Sequence, residues 1–152
     1  MESPAHRNGT FSIAGEFVPG YAEKLSPMLS DPSVQVLGFR RDVPELMRKS
    51  DILVLPTIEE GSALVTSEAR GSGCVLLVSE AAGAICKHME NALIHPVGEV
   101  EELTRHLTML DRDRGLLEKL RSASLCTVHE ITWDAAGVKL LQVYHNLMAS
   151  KS

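Results

Sequence analysis

The chain has 152 residues, 44% of them hydrophobic and 23% charged, with a formal net charge of −5. That length fits one domain with a core of its own, and that balance describes a folded chain, not a disordered one. The acidic balance and the lack of any long Lys/Arg run argue against nucleic acid or an anionic membrane surface as a partner.

The cysteines Cys74, Cys86 and Cys126 have neither the even count of a disulfide frame nor the CxxC spacing of a zinc site. They read as reduced thiols of a cytoplasmic protein. No apolar run reaches the ~18 residues of a membrane span. Residues 1–9 are polar and lack an apolar centre, so they read as a tail or the cut edge of a longer chain, and not as a signal peptide.

In chain order, Thr10-Phe11-Ser12-Ile13-Ala14-Gly15 is a short β-prone run. Residues 19–29 have helical spacing, with Pro19 early and Tyr21, Leu25, Met28 and Leu29 on one face, until Asp31-Pro32 breaks it. Val34-Gln35-Val36-Leu37-Gly38 is a second strand, and Asp42 is placed to cap a short helix through Lys49 with Val43, Leu46 and Met47 as its stripe. Asp51-Ile52-Leu53-Val54-Leu55-Pro56 is nearly all apolar, which predicts a central parallel strand buried on both faces.

A loop over 57–61 then leads into a helix of about ten residues that ends near Arg70, where Gly71 and Gly73 stop it. Cys74-Val75-Leu76-Leu77-Val78 is another apolar strand, and Ala92-Leu93-Ile94-His95-Pro96 a weaker one. From Val100 onward only helices are predicted, over 100–109, over 113–126, and a last one capped by Asp134 with Val138, Leu141, Tyr144 and Met148 on one side. Strands alternating with helices predict an α/β class, a Rossmann-like parallel sheet with helices on both faces, as a single domain over 10–152 behind the 1–9 tail.

Ligands of such sheets bind beyond the carboxyl ends of the strands. That directs attention to Gly38-Phe39-Arg40-Arg41 and to the loops at 57–64 and 79–85. In the second of these, Pro56-Thr57-Ile58-Glu59-Glu60-Gly61 ends a strand with an acidic pair and a glycine, and a helix follows. Free N–H groups at a helix start can hold an anion such as a phosphate. Glu60 sits at the mouth and Glu68 eight residues on, about two turns along such a helix, so the two carboxylates can grip hydroxyls at two points of an elongated ligand. The plainer reading is that Glu59 and Glu60 complement the helix N-terminus while Glu68 is a solvated helix position.

Glu60 and Glu68, with seven residues between them, resemble the Glu-x7-Glu motif of the retaining family-four glycosyltransferases of the GT-B fold. The surroundings carry the same resemblance: Val34 to Phe39, then Val43-Pro44-Glu45-Leu46, Ser50 to Pro56, Glu68 to Leu76, Glu90-Asn91 before Pro96, and Trp133 before the last helix. It extends from about Phe11 to Tyr144 and implies the C-terminal, donor-binding half of a two-domain enzyme. In that role Glu60 contacts the donor sugar and helps place its anomeric carbon, and Glu68 takes the ribose hydroxyls. The N–H groups of Gly61, Ser62, Ala63 and Leu64 face the sugar and diphosphate, and Gly38-Phe39-Arg40 borders the base. No metal or other cofactor is expected, since the helix dipole and basic side chains neutralise the leaving diphosphate. The expected partners are a nucleotide sugar and an N-terminal acceptor-binding domain, through which any membrane contact would pass.

Departures from the family pattern are also present. Ser62 and Ala63 stand where an aromatic residue and a second glycine are common, and Cys86 stands where a Glu is frequent after the Gly83 loop. The strand and basic loop that grip the diphosphate are not recognisable before Thr10. A second reading is therefore a stand-alone interaction module with a degenerate donor site that needs a partner chain. An epimerase or phosphorylase of the same fold stays open as an enzyme alternative.

Other chemistries find less support. The six histidines form no ligand-like pair with a third donor, Gly71-Ser72-Gly73 precedes a strand instead of opening a helix, and no Gly-x-Ser-x-Gly elbow is present. A phosphorylated receiver domain needs an Asp after its third strand, where this chain has Pro56-Thr57-Ile58-Glu59. Trp133 is predicted to anchor the last helix on the sheet, with part of that helix's apolar face left exposed.

Overall fold

The computed structural model describes residues 8–150. Five strands, β1 (Phe11–Ala14), β2 (Val34–Gly38), β3 (Ile52–Leu55), β4 (Val75–Ser79) and β5 (Ala92–His95), alternate with helices α1 (Tyr21–Leu29), α2 (Val43–Arg48) and α3 (Leu64–Gly71). Helices α4 (Val100–Arg112), α5 (Arg114–Cys126) and α6 (Trp133–Ala149) follow. Every strand pairing is parallel, as the alternation predicts. The strands nevertheless form two sheets, β1-β2 and β3-β4-β5, where a single sheet is predicted.

The core is built around β4, all of whose residues are buried. Because strand side chains alternate, Leu76 and Val78 join Met47 of α2, Ala69 of α3 and Ala92 in one cluster, while Val75 and Leu77 join Leu93, Leu110, Leu117 and Leu120 on the α4–α5 side. Helices therefore cover both faces. Each fully buried Leu contributes about 1.5–3 kcal/mol relative to exposure.

Strand β3 departs from expectation. Its Ile-Leu-Val-Leu sequence predicts a central strand, yet it is half-buried throughout and, among the described residues, pairs with β4 alone. The physical reason is a missing neighbour, since its other edge faces a cavity and not a strand. Its start is latched to α5, where the Asp51 carboxylate takes Arg121 at 2.8 Å and Arg114 at 3.1 Å. The hydrogen bond from Arg121, with help from Arg114, holds the Asp51 carboxyl below its ordinary pKa.

Two caps also differ from expectation. Asp42 stands at the N-cap of α2 without a side-chain cap bond, because Arg40 occupies its carboxylate. The last helix is capped by Thr132, whose hydroxyl accepts from the Ala135 N–H at 3.2 Å, while Asp134 lies in the first turn. Trp133 is 80% exposed and anchors nothing. Helix α6 has no buried residue, so its apolar face is open in full. Most of the 1–9 tail lies outside the described residues, but the Asn8 amide donates to the Asp111 carboxylate at 3.2 Å.

Candidate functional site

Leu55 lies beside Val78 in the β3–β4 ladder, so the loops that follow these strands start side by side. The Ser79 hydroxyl donates to the Thr57 carbonyl at 2.6 Å, and the Ala63 N–H donates to the Ala82 carbonyl at 3.2 Å. Gly83, at φ +59°, approaches so closely that a Cβ there would lie 2.6 Å from the Gly61 carbonyl oxygen. Its positive φ and this contact together require glycine.

This seam corrects the predicted start of α3. Ala63 is held extended, at φ −70° and ψ 95°, and the helix begins at Leu64 with eight residues. Glu68 therefore lies four residues into the helix, about 6 Å along its axis, and not two helical turns beyond Glu60. The Ala63 N–H is taken by Ala82, so it does not face outward with its neighbours as the resemblance implies.

The helix start has no side-chain cap. The Thr66 N–H is bonded to the Ala63 carbonyl at 2.9 Å, whereas among the described residues no protein acceptor meets the N–H groups of Gly61, Ser62, Leu64 or Val65. Together with the positive end of the helix they offer an anion a ready seat. Glu60 and Glu68 are both exposed, and neither carboxylate is engaged by another described residue. The structure thus gathers Glu60, Gly61, Ser62, Leu64 and Glu68 around one open helix start.

Gly38, Phe39 and Arg40 sit at the end of β2, in the other sheet. Gly38 turns the chain at φ +62°, and Phe39 is 70% exposed. Arg40 clamps Asp42 through two bonds, at 2.8 and 2.6 Å. That hydrogen-bonded pair raises the Arg40 pKa and lowers that of Asp42. No hydrogen bond joins these residues to Glu60 or Glu68, but Phe39, Arg40 and Val65 of α3 line one cavity between the sheets.

Sequence reasoning missed Arg70. Only 2% exposed, it donates from Nε to the Ser124 hydroxyl at 3.0 Å and from Nη2 to the Thr127 hydroxyl at 2.6 Å. It also donates to the Ile85 carbonyl. Burial lowers its pKa below the usual guanidinium value. Arg70 ties α3 to the end of α5 and to the loop after Gly83. The only signal was an arginine on the same face as Thr66 and Ala69. Cys86 beside it is half-buried, and burial pushes its thiol pKa up against the pull of Arg70. Among the described residues no three His, Cys, Asp or Glu side chains are grouped to hold a metal ion, and no helix is long and apolar enough to cross a membrane.

Comparison with known proteins places this arrangement among relatives. A family model described as glycosyl transferases group 1 matches residues 2–113. The chain is 29% identical over 83 residues to a UDP-Gal:alpha-D-GlcNAc-diphosphoundecaprenol alpha-1,3-galactosyltransferase of Escherichia coli, covering 53% of this chain and 21% of that protein. It is 30% identical over 95 residues to an N,N'-diacetylbacillosaminyl-diphospho-undecaprenol alpha-1,3-N-acetylgalactosaminyltransferase of Campylobacter jejuni, covering 61% of this chain and 24% of that one. The chain thus spans about a quarter or less of the length of these relatives. Among solved structures, Anabaena Alr3699/HepE in complex with UDP superposes with a TM-score of 0.77 at 23% identity, over 93% of this chain and 41% of that one. A glycosyltransferase from Rickettsia africae superposes with a TM-score of 0.79 at 18% identity, over 94% of this chain and 41% of that one. At these identities the superpositions establish the fold, that of one half of a GT-B enzyme.

Proposed function

The chain belongs to the group 1 glycosyl transferases, and from that premise we propose that the open start of α3 holds the diphosphate and sugar of a nucleotide-sugar donor for retaining transfer. The observation that carries this is the seam between Gly61 and Gly83. It fixes a loop whose N–H groups are free, with one unengaged carboxylate on either side of the helix start.

In this reading Gly61, Ser62 and Leu64 donate backbone hydrogen bonds to the sugar and diphosphate, and the helix dipole offsets the charge that grows on the leaving phosphate. Glu60 accepts from a sugar hydroxyl and orients the anomeric carbon. Glu68 accepts from the ribose hydroxyls, which a carboxylate suits because it can take two neighbouring donors. Phe39 borders the base, with Arg40 nearby. No metal is assigned a part. The acceptor is held by an N-terminal domain outside this chain, and any membrane contact belongs to that domain. The three free thiols support a reducing compartment, hence the cytoplasm.

The test is a calorimetric titration of the chain with UDP, GDP and ADP, beside the same titrations of Glu68→Ala. Binding of one diphosphate that weakens at least tenfold in the variant supports the donor site and names the base. No binding of any of them at millimolar ligand favours the second reading, an interaction module with a degenerate site, for which the half-buried edge of β3 already speaks.

A further inference from the structure

Helix α3 grips the loop after β4 at two points. At its N-cap the Ala63 N–H donates to the Ala82 carbonyl at 3.2 Å. In its last turn the Arg70 guanidinium donates to the Ile85 carbonyl. Gly83, whose contact with Gly61 forms the seam, lies between these two holds. The other arms of Arg70 reach the end of α5, at the hydroxyl and carbonyl of Ser124 and at the Thr127 hydroxyl. All four acceptors are neutral oxygens. A buried charge held this way costs desolvation that an apolar side chain would not. What it supplies is direction, because a planar fork fixes its partners at set angles. Arg70 also follows Glu68 by two residues, about 200° around the helix. Glu68 is exposed while Arg70 is buried, so anchoring the one fixes the aim of the other.

We propose that Arg70 is a positioning residue of the donor site, acting through the loops and not on the donor itself. It holds residues 83–86 against α3, and through the Gly83–Gly61 seam it sets the spacing of the Gly61, Ser62 and Leu64 N–H groups. Its hold on α5 sets the rotation of α3 and so the direction of Glu68. The part that concerns the donor rests on the functional reading above, whereas the hold on the loop does not.

Two thiols of the chain separate a hold on the loop from a general stabilising effect. Cys86 follows Ile85 and is half-buried, whereas Cys74 is buried in the core. In a Cys126→Ser background, which removes the exposed thiol, labelling of Cys86 by a small disulfide reagent follows opening of the loop. Labelling of Cys74 follows unfolding of the core. Arg70 draws the Cys86 pKa down against burial, so removing the guanidinium makes the thiol less reactive. Faster labelling of Cys86 in an Arg70 variant therefore reports opening and not a more acidic thiol.

The test measures both labelling rates, by mass spectrometry of the modified peptides, in the background protein and its variants. Arg70→Met is expected to speed Cys86 by about tenfold relative to Cys74, and Arg70→Lys to recover part of the difference. Thr127→Val, a milder change that removes one acceptor on α5, is expected to move the ratio the same way by less, and it decides the matter if Arg70→Met does not fold. Affinity for the nucleoside diphosphate that the unaltered chain binds is expected to fall in the same order, by about fivefold in Arg70→Met, at a temperature where each protein stays folded. Equal acceleration of both thiols overturns the proposal, since Arg70 would then stabilise the fold as a whole. A changed ratio with unchanged affinity overturns the positioning role. Absence of binding in the unaltered chain is instead the failure of the functional reading, and the labelling ratio then decides alone whether Arg70 holds the loop.

Discussion

Gly83 stands against Gly61 at a distance that admits no side chain, since a methyl group at position 83 would lie 2.6 Å from the Gly61 carbonyl oxygen and 3.2 Å from the Ser62 Cα. The loop after β4 is thereby the template for the loop after β3. The free N–H groups at the start of α3 keep their positions only while the two stay in contact.

Replacing Gly83 with Ala is therefore expected to push the loops apart. The positive φ and the steric contact together cost on the order of 2 kcal/mol. Denaturant unfolding would show the loss, and titration with the preferred nucleoside diphosphate would show weaker binding. A variant with unchanged stability and unchanged affinity would separate the seam from the site.

Arg70 holds the other side of α3. Its removal in Arg70→Met strands the Ile85 carbonyl and the Ser124 and Thr127 hydroxyls in a buried setting, for an expected loss on the order of 3 kcal/mol. Arg70→Lys is expected to recover only part of it, because one ammonium cannot reproduce a planar fork directed at two elements. The denaturation midpoints of the three proteins check this order.

His106 makes stability depend on pH. It is 1% exposed, with Nε2 3.1 Å from the Glu102 carboxylate and Nδ1 buried with no hydrogen-bond partner among the described residues. Burial pulls its pKa below the ordinary 6.5 against the attraction of Glu102, and His88, Arg105 and His95 push in the same direction as burial. The folded chain thus prefers the neutral ring, and as pH falls the unfolded chain takes up the proton first. Stability is full above the ordinary histidine pKa and is lost as pH drops below it toward the lower folded value. Midpoints measured at about pH 7.5 and about pH 5.5 should fall with acidity, and His106→Leu should flatten that fall.

Trp133 is the chain's one tryptophan, and its exposure makes it a reporter. Its emission is expected to be red-shifted and readily quenched by acrylamide in the isolated chain. A blue shift with reduced quenching should accompany any partner that covers α6.

Much of this architecture was legible in the residues. The apolar run of β4 and the leucine spacing of α4 and α5 identified the elements that carry the core. Strand β3 is as apolar as β4, and the prediction that β3 is central failed, whereas β4, read only as another apolar strand, sits at the centre of its sheet. Composition records the neighbours a strand is suited to, and β3 lacks one of its own here. Trp133 was misplaced for the same reason, as a large apolar side chain whose cover is absent. The late start of α3 was illegible on other grounds. It depends on the Ala63–Ala82 hydrogen bond, a contact between loops that local pattern does not encode. Glu60 and Glu68 were visible by spacing, while Arg70 and Gly83 act through distant partners and were not.

The split between the sheets also bears on how the chain melts. Strands β1 and β2 with α1 share no ladder with β3-β4-β5, α1 contributes no buried residue, and a two-stranded ribbon is marginal by itself. The chain then behaves as two cooperative units of unequal strength. Heat would release residues 11–38 before the core around β4, and the calorimetric enthalpy would exceed the van't Hoff value that a single transition requires.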